Sequence, residues 1–566
     1  MEDKALQMGK SSTVGSFFLL FGVVGSTVIL ALGTLILNSL LSDAEIGLYG
    51  IVLIPSTVIA YFRDLGVNSA ITQKIASLRA EGRHSEVADV VFSGLVFELL
   101  SGALLALVCF ALAQPLALIL NRPAAGSLIG LMSLSIFAGA IVSAASGVFV
   151  GFEKMKLNSF VQTLQAIIKT LLGPLLVFLG FSVFGAVLGA TVSVIVGGLV
   201  SFVLVYFVLF RPMHSLSEGK RDFKRSLSPL SSMLVYGVPL TLSNIVVGVL
   251  PQFFVFFMAL YAGDSMMGNY FAAAYFAVLV TFISFPISTA LFPAFSKLNP
   301  EKELKLVKTV FSSSVRYTSI FLIPATMLII TLSAPLVHTL FPQEGILQAL
   351  SQNGILNYLF TTGTATKFPY APVFLAVSSI ANLFVLFGHV SLTAFQTGIG
   401  KTWQIMKQSL LSLAISLPFS IIIIAFLGTF GGVNSEMFVV VGGLLSIMVS
   451  IIPGLVWGLI WSWKNYHVKA DFKNSAKIFT ATIIASIVTY AFSILVNASY
   501  PLLLFAGAIL FILTYLIIAP LIGAINQADI DNLRLMSAEL GIISKFLKIP
   551  LIFMQKFCKK SKTITK

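Results

Sequence analysis

The chain has 566 residues, of which 57% are apolar and only 10% charged, with a formal net charge of +14 and a mean hydropathy of +1.00. That balance lies far outside the composition of water-soluble domains. The basic charge is spread over short connections rather than gathered on one domain, which argues against a nucleic-acid partner. Two cysteines, Cys109 in an apolar span and Cys558 in a basic tail, are too few for a disulfide framework or a metal cage.

Fourteen apolar stretches are each long enough to cross a bilayer as a helix, which takes about 20 residues. The first six are expected over 12–41, 47–70, 88–113, 125–150, 157–179 and 182–210. Six more follow over 229–262, 268–296, 312–341, 369–397, 403–428 and 437–463, and a last pair over 475–497 and 500–525. The first stretch is much longer than a signal-peptide core and has no small-residue cleavage pattern, so it is expected to be retained. Prolines interrupt many spans, with Pro239 and Pro251 in span seven singled out as expected bends.

The connections alternate in charge. Thirty-two of the thirty-five Lys and Arg residues fall in every other connection or in the termini on the same side. This is the positive-inside signature, and it places both termini in the cytoplasm of a plasma-membrane protein. Three residues depart from it. Arg122 and Lys367 lie outside and read as ordinary loop charges, and Lys169 lies within span five. Outer connections are short and several are acidic, with Asp43, Glu45, Asp264 and Glu436.

Two weak internal matches recur at equivalent places in a six-span period. Asp43, Gly47 and Tyr49 after span one share their spacing with Asp264, Gly268 and Tyr270 after span seven. Asn158 and Gln162 in span five share theirs with Gln404 and Gln408 in span eleven. The expected architecture is therefore all-α and integral to the membrane: two parallel-repeat six-helix bundles plus a C-terminal helix pair. The bundles are assigned to 1–210 and 229–463, joined by a cytoplasmic basic linker at 211–228. The helix pair occupies 475–525, and 526–566 forms a cytoplasmic amphipathic basic tail suited to anionic headgroups.

Ionisable side chains inside a membrane are the default site candidates, because burying them without a role is costly. Asn158, Gln162, Gln165 and Lys169 fall on one helical face of span five, so they could line a cavity and receive a phosphate. Equally, the stripe could glue neighbouring helices, with Lys169 paired to Glu98 of span three. Glu98 is the one carboxylate well inside a span and the natural coupling site if protons or sodium drive transport. Arg63 and Asp64 at the inner end of span two, and Arg316 at the start of span nine, could hold phosphate or gate the cavity, or snorkel to the interface. His389 in span ten reads as a packing residue. Residues 398–402 imitate the end of a phosphate-binding loop, but Phe395 stands where the first glycine is required and the context is a membrane span. No metalloprotease, paired-cysteine or nucleophile-elbow pattern is present.

An ordered series of short motifs runs through the spans. It comprises Leu41-Ser42-Asp43-Ala44-Glu45-Ile46-Gly47-Leu48-Tyr49, Asp64-Leu65-Gly66, and Gly151-Phe152 followed by Lys154 and Lys156. Phe184-Gly185-Ala186, Gly237-Val238-Pro239-Leu240 and Gly268-Asn269-Tyr270 complete it. With fourteen spans, the series resembles the multidrug/oligosaccharidyl-lipid/polysaccharide (MOP) exporter superfamily, in its polysaccharide-type flippase branch. The resemblance implies a V-shaped pair of bundles that opens a central cavity to either side in turn. Its implied task is to move a polyprenyl (pyro)phosphate-linked oligosaccharide to the outer leaflet for surface polysaccharide or glycoprotein biosynthesis, beside glycan-assembly enzymes. It implies no resident cofactor and leaves proton or sodium coupling open. The alternative on the same fold is a cation-coupled multidrug antiporter, disfavoured because spans one and seven carry no core carboxylate. A glycan polymerase or ligase comes last, since no large outer loop is available.

Overall fold

The computed structural model describes residues 23, 25–63, 65–210, 229–276, 295, 300, 302–343, 365–429, 434–538 and 542–558. Among them the secondary structure is helical, and the strand-like pairing consists of one isolated bridge between Pro342 and Thr366. Among the described residues, nine helices are long and apolar enough to cross a membrane, or ten if one bent pair counts as a single span. The basic linker at 211–228, most of span eight and the basic end at 559–566 lie outside the described residues.

Helices α1 (Gly25–Leu40), α2 (Asp43–Ala60), α3 (Val67–Ala80), α4 (His84–Ile119), α5 (Ala125–Gly151), α6 (Met155–Leu176) and α7 (Ser182–Leu204) follow one another in unit 1. Unit 1 comprises Met1–Phe271 and Ile421–Val439, so α8 (Pro229–Tyr261) belongs to it and packs on α2, α3 and α4. A further helix, α9, begins at 264 and is described to 276. Unit 2 comprises Ala272–Ser420 and Val440–Lys566. It holds α10 (Leu304–Thr331), α11 (Ser333–Leu340), α12 (Ala371–Ile380) and α13 (His389–Gly398). Helices α14 (Thr402–Thr429) and α15 (Ser435–Tyr466) come next, then α16 (Phe472–Leu495), α17 (Tyr500–Leu521), α18 (Gln527–Ala538) and α19 (Ile542–Phe557).

Spans four, eleven, twelve, thirteen and fourteen appear as α5, α14, α15, α16 and α17 with boundaries moved by a few residues, while other spans change where the backbone reverses. Span two, expected to be continuous over 47–70, stops at Ala60. Leu65 (φ 44°) and Gly66 (φ 77°) adopt left-handed conformations there and start α3 in a new direction. The helical run Met155–Phe207 is 53 residues long, roughly 80 Å at about 1.5 Å per residue and far beyond the roughly 30 Å hydrocarbon layer. Gly180 (φ 93°) and Ser182 (φ 47°) turn it back on itself, separating spans five and six. Span ten bends by 56° at Gly388 (φ 82°). Helix α8 continues through Pro239 and Pro251, from Pro229 to Tyr261. These reversals fall on left-handed residues.

Between helices in a membrane the lipid tails remove most of the hydrophobic drive, so close approach at small residues carries the packing. Gly189 lies on the backbone of Gly173, Gly198 on the Ala138 carbonyl, and Gly33 of α1 on Thr170 of α6. The outward side of α4 is correspondingly apolar, with Leu100, Leu104, Leu107 and Phe110 exposed.

The Asp-Gly-Tyr motif that recurs in the sequence has a structural reason. Ser42 and Glu45 form a capping box at the start of α2: the Ser42 side chain accepts from the Glu45 amide, and Glu45 Oε2 accepts from the Ser42 amide at 2.8 Å. Just inside the cap, Gly47 abuts the carbonyl of Asp264, while Gly268 abuts the carbonyl of Asp43. The two copies of the motif therefore meet reciprocally, each supplying the bare Cα that the other's backbone needs. Ser265 donates to Asp43 across the same contact, and Tyr49 and Tyr270 are both buried beneath it.

A Cβ at either glycine would strike backbone, which cannot yield as a flexible side chain does. Gly47→Ala and Gly268→Ala are each expected to cost about 1–3 kcal/mol by overpacking, read as a lowered melting temperature of the purified protein. Gly173→Ala, whose Cβ would meet only Ala186 O at 3.9 Å, is expected to leave it unchanged within error.

Candidate functional site

Three polar constellations lie inside the apolar body of unit 1. At the end of the helices assigned to the outside, Arg122 reaches from the α4–α5 connection to the C-terminus of α8. It accepts no hydrogen bonds and offers a rigid fork of donors. Nη1 donates to Leu120 O (2.8 Å) and Ala259 O (2.7 Å), Nη2 donates to Ala262 O (2.8 Å), and Nε donates to the Asp264 carboxylate. Carbonyls left without partners at a helix end are thereby satisfied, and a positive charge sits where the helix dipole favours one. Close by, Glu45 accepts from Ser182, and Glu436 accepts from the Gly263 amide at 3.0 Å. Glu45, Asp264 and Glu436, together with Arg122, fasten this end of α2, α4, α7, α8 and α9. Arg122 was read from sequence as an ordinary loop charge. The one signal that could have singled it out is that it violates the positive-inside pattern.

Toward the other end, Arg63 points inward rather than snorkelling. Its Nε lies 3.7 Å from Glu98 Oε2, its Nη1 is 3.5 Å from Ile136 O, and Gly139 leaves room for it. Glu98 is fully buried, and the Arg63 side chain is 16% exposed. Arg63 also lines a cavity of about 560 Å³ within unit 1, with Thr57, Tyr61, Ser143 and Thr241. The cavity wall thus carries a guanidinium, hydroxyls and a phenol, which are donors suited to phosphate or sugar oxygens. Sequence reasoning found Arg63 and Glu98 but missed the hydroxyl residues, because Ser and Thr are common in membrane helices and carry no periodic signal.

The third constellation is the predicted stripe on α6. Asn158 is buried, Gln162 and Gln165 are half-buried, and Lys169 is exposed. At about 3.6 residues per turn, these four share one face. Phe160, Ile167 and Leu171, exposed and apolar, lie on the opposite one. A helix with a greasy exposed side and a separate polar side places lipid on the first, so the ammonium of Lys169 opens onto a different surface. Gln165 is wedged against Gly197 of α7, and among the described residues its buried Nε2 has no hydrogen-bond partner. One residue past Lys169, the Thr170 hydroxyl donates to Ile29 O of α1 at 3.0 Å. In span eleven the corresponding stripe is used differently: Gln408 donates to Gln396 at 3.0 Å and glues α14 to α13.

The structure therefore brings together some expected residues and separates others. Glu98 pairs with Arg63, and among the described residues no ion pair joins it to Lys169. Arg316 is engaged elsewhere: its Nη2 donates to Asp529 of α18 at 2.5 Å and lies 3.4 Å from Ala524 O, which ties α10 to the tail. Asp64 lies outside the described residues. His389 opens α13 immediately after the Gly388 bend. Among the described residues, no group of three or more His, Cys, Asp or Glu could hold a metal ion.

Two stability tests follow from the ion pairs. Removing one partner of a buried pair strands the other's charge, at about 3–5 kcal/mol. Arg63→Met is thus expected to be more damaging than Arg63→Met combined with Glu98→Gln, a non-additivity that a double-mutant cycle of melting temperatures would reveal. At the outer end, Arg122→Ala leaves several acceptors unmet and is expected to cost about 2–4 kcal/mol, since a charge-assisted hydrogen bond contributes about 1.5–3 kcal/mol. Arg122→Lys should restore only part of it, because an ammonium cannot span that fork. Equal melting temperatures for Arg122→Lys and the parent would contradict the fork.

The profile of a family described as polysaccharide biosynthesis protein matches residues 13–299. Comparison with curated proteins finds no match. Among solved structures, the lipid II flippase MurJ in an inward closed conformation is similar with a TM-score of 0.63 and 15% identity, covering 90% of this chain and 98% of that one. A multidrug resistance MATE family transporter of the MOP superfamily, in an inward-facing conformation, is similar with a TM-score of 0.60 and 17% identity, covering 77% and 94%. At such identities the structural likeness establishes the fold, which is that of MOP superfamily transporters. The helices, the fold and the match over half of the sequence together make this a multi-pass membrane protein of the polysaccharide biosynthesis protein family.

Proposed function

We propose that the chain is a flippase that carries a polyprenyl (pyro)phosphate-linked oligosaccharide from the cytoplasmic to the outer leaflet of the plasma membrane by alternating access. The product would serve surface polysaccharide or glycoprotein biosynthesis. The observation that carries this reading is the placement of cationic side chains inside the membrane-spanning body: Arg63 on a hydroxyl-lined cavity, and Lys169 on the polar face of α6.

A phosphate and a sugar chain cannot enter hydrocarbon without replacing their hydration. Arg63 and Lys169 would neutralise the phosphate, Asn158, Gln162 and Gln165 would meet sugar hydroxyls, and the polyprenyl chain would stay in lipid. Glu98 would set the availability of Arg63. While the carboxylate is ionised it holds the guanidinium, and on protonation it releases it, so a proton gradient could be coupled to loading. Arg316, engaged with Asp529, is assigned to the tail contact rather than to substrate. The family match to polysaccharide biosynthesis and the fold shared with a protein titled a lipid II flippase support this reading. A multidrug antiporter for cations would need a net acidic site, whereas the carboxylate here is already matched by Arg63.

The test is flipping of a fluorescent polyprenyl pyrophosphate-linked oligosaccharide in proteoliposomes. Lys169→Ala is expected to reduce the rate at least tenfold, with Lys169→Arg retaining most of it. Glu98→Gln is expected to flatten the dependence on an imposed pH gradient. Unchanged flipping in Lys169→Ala would remove the site, and failure to flip any such lipid with export of cationic dyes would favour the antiporter.

A further inference from the structure

The arm that follows α17 folds back onto unit 2. Ile530 and Leu533 of α18 and Leu551 and Met554 of α19 are buried in one cluster with Ile320, Ile478, Phe511 and Tyr515. Polar contacts pin it: Arg316 holds Asp529, Asn532 Nδ2 donates to Tyr317 Oη at 3.0 Å, and Lys477 Nζ donates to Gly523 O at 3.3 Å.

The other side of α19 is built for a different neighbour. Ile549 is 70% exposed and Ile552 51%, and the exposed Lys548 and Lys556 stand one turn before and after Ile552. Residues 540–566 contain seven lysines and no Asp or Glu. Large apolar side chains between lysines fit neither water nor a protein core. They fit the headgroup boundary of a bilayer, where the isoleucines enter the acyl edge and the lysine stems extend their ammonium groups toward phosphates. Cys558 is half-buried with Sγ 3.9 Å from Ile525 O, and burial, with Asp529 and Asp531 nearby, pushes its thiol up.

We propose that the outward face of α19, centred on Lys548, Ile549, Ile552 and Lys556, is a docking surface for anionic phospholipid headgroups. Charge complementarity selects that occupant: clustered lysines beside a membrane surface are drawn to acidic lipid. Because the arm is pinned to the middle of α10 through Arg316 and Tyr317, docking ties that helix to the lipid surface.

The experiment is hydrogen exchange of residues 542–557 in the full-length protein, in nanodiscs of phosphatidylcholine alone and of phosphatidylcholine with phosphatidylglycerol. A nanodisc presents both faces, so the outcome does not depend on orientation or on which lipid is flipped. Exchange is expected to slow at least roughly fivefold with phosphatidylglycerol and to recover in high salt, because surface attraction is screened within about 10 Å at 0.1 M. Lys548→Glu with Lys556→Glu should abolish the difference, while Ile549→Ser with Ile552→Ser should reduce protection in both lipids. Equal exchange in the two lipid compositions, or a difference that survives the charge reversal, would overturn the proposal and leave this face to an acidic protein partner.

Discussion

The cost of placing charge in hydrocarbon governs this molecule. A bilayer core offers no water, so every ionisable side chain there must find a partner, a polar cavity or a path to the interface. Unit 1 shows each solution. Glu98 is matched by Arg63, Arg63 opens onto a cavity lined by hydroxyls, and Lys169 lies on the side of α6 away from its lipid-like face. Arg122 solves the same problem at a helix end, where its donors meet carbonyls that α8 leaves open. These arrangements are costly to build, which is why ionisable groups at such depth are candidates for a functional role.

Packing and bending follow from the same scarcity of driving force. Helices that cannot rely on hydrophobic exclusion approach through glycine, and the reciprocal Gly47 and Gly268 contacts show how far this goes: each glycine meets the other motif's backbone. Direction changes fall on left-handed residues at Gly66, Gly180 and Gly388, where the chain alters course with little steric penalty. Prolines inside α2, α6, α10, α14, α15 and α17 leave those helices continuous.

Much of the fold was legible in the sequence because apolar runs of about 20 residues have few alternatives. The spans at α5, α14 and α15 were placed within a few residues for that reason. The turns were harder: Leu65-Gly66 and Gly388 lie within apolar runs, and hydropathy does not register the sign of φ. At the site, the spacing of Asn158, Gln162, Gln165 and Lys169 already put them on one face, since helical geometry alone determines it. The partner of Glu98 was not legible. Arg63 is 35 residues away in sequence, and only the crossing of α2 and α4 decides that it, and not Lys169, meets the carboxylate. Arg122 was passed over because an outer arginine looks unremarkable until the carbonyls around it are known.

The central claim is that these cations exist to recognise a lipid-borne phosphate. Direct binding tests it most plainly: the purified protein, titrated with polyprenyl pyrophosphate and with the uncharged polyprenol of equal length, reports the contribution of the charged headgroup alone. At least tenfold tighter binding of the pyrophosphate is expected, lost when Arg63 and Lys169 are both replaced by neutral residues. Equal affinity for the two lipids would contradict it.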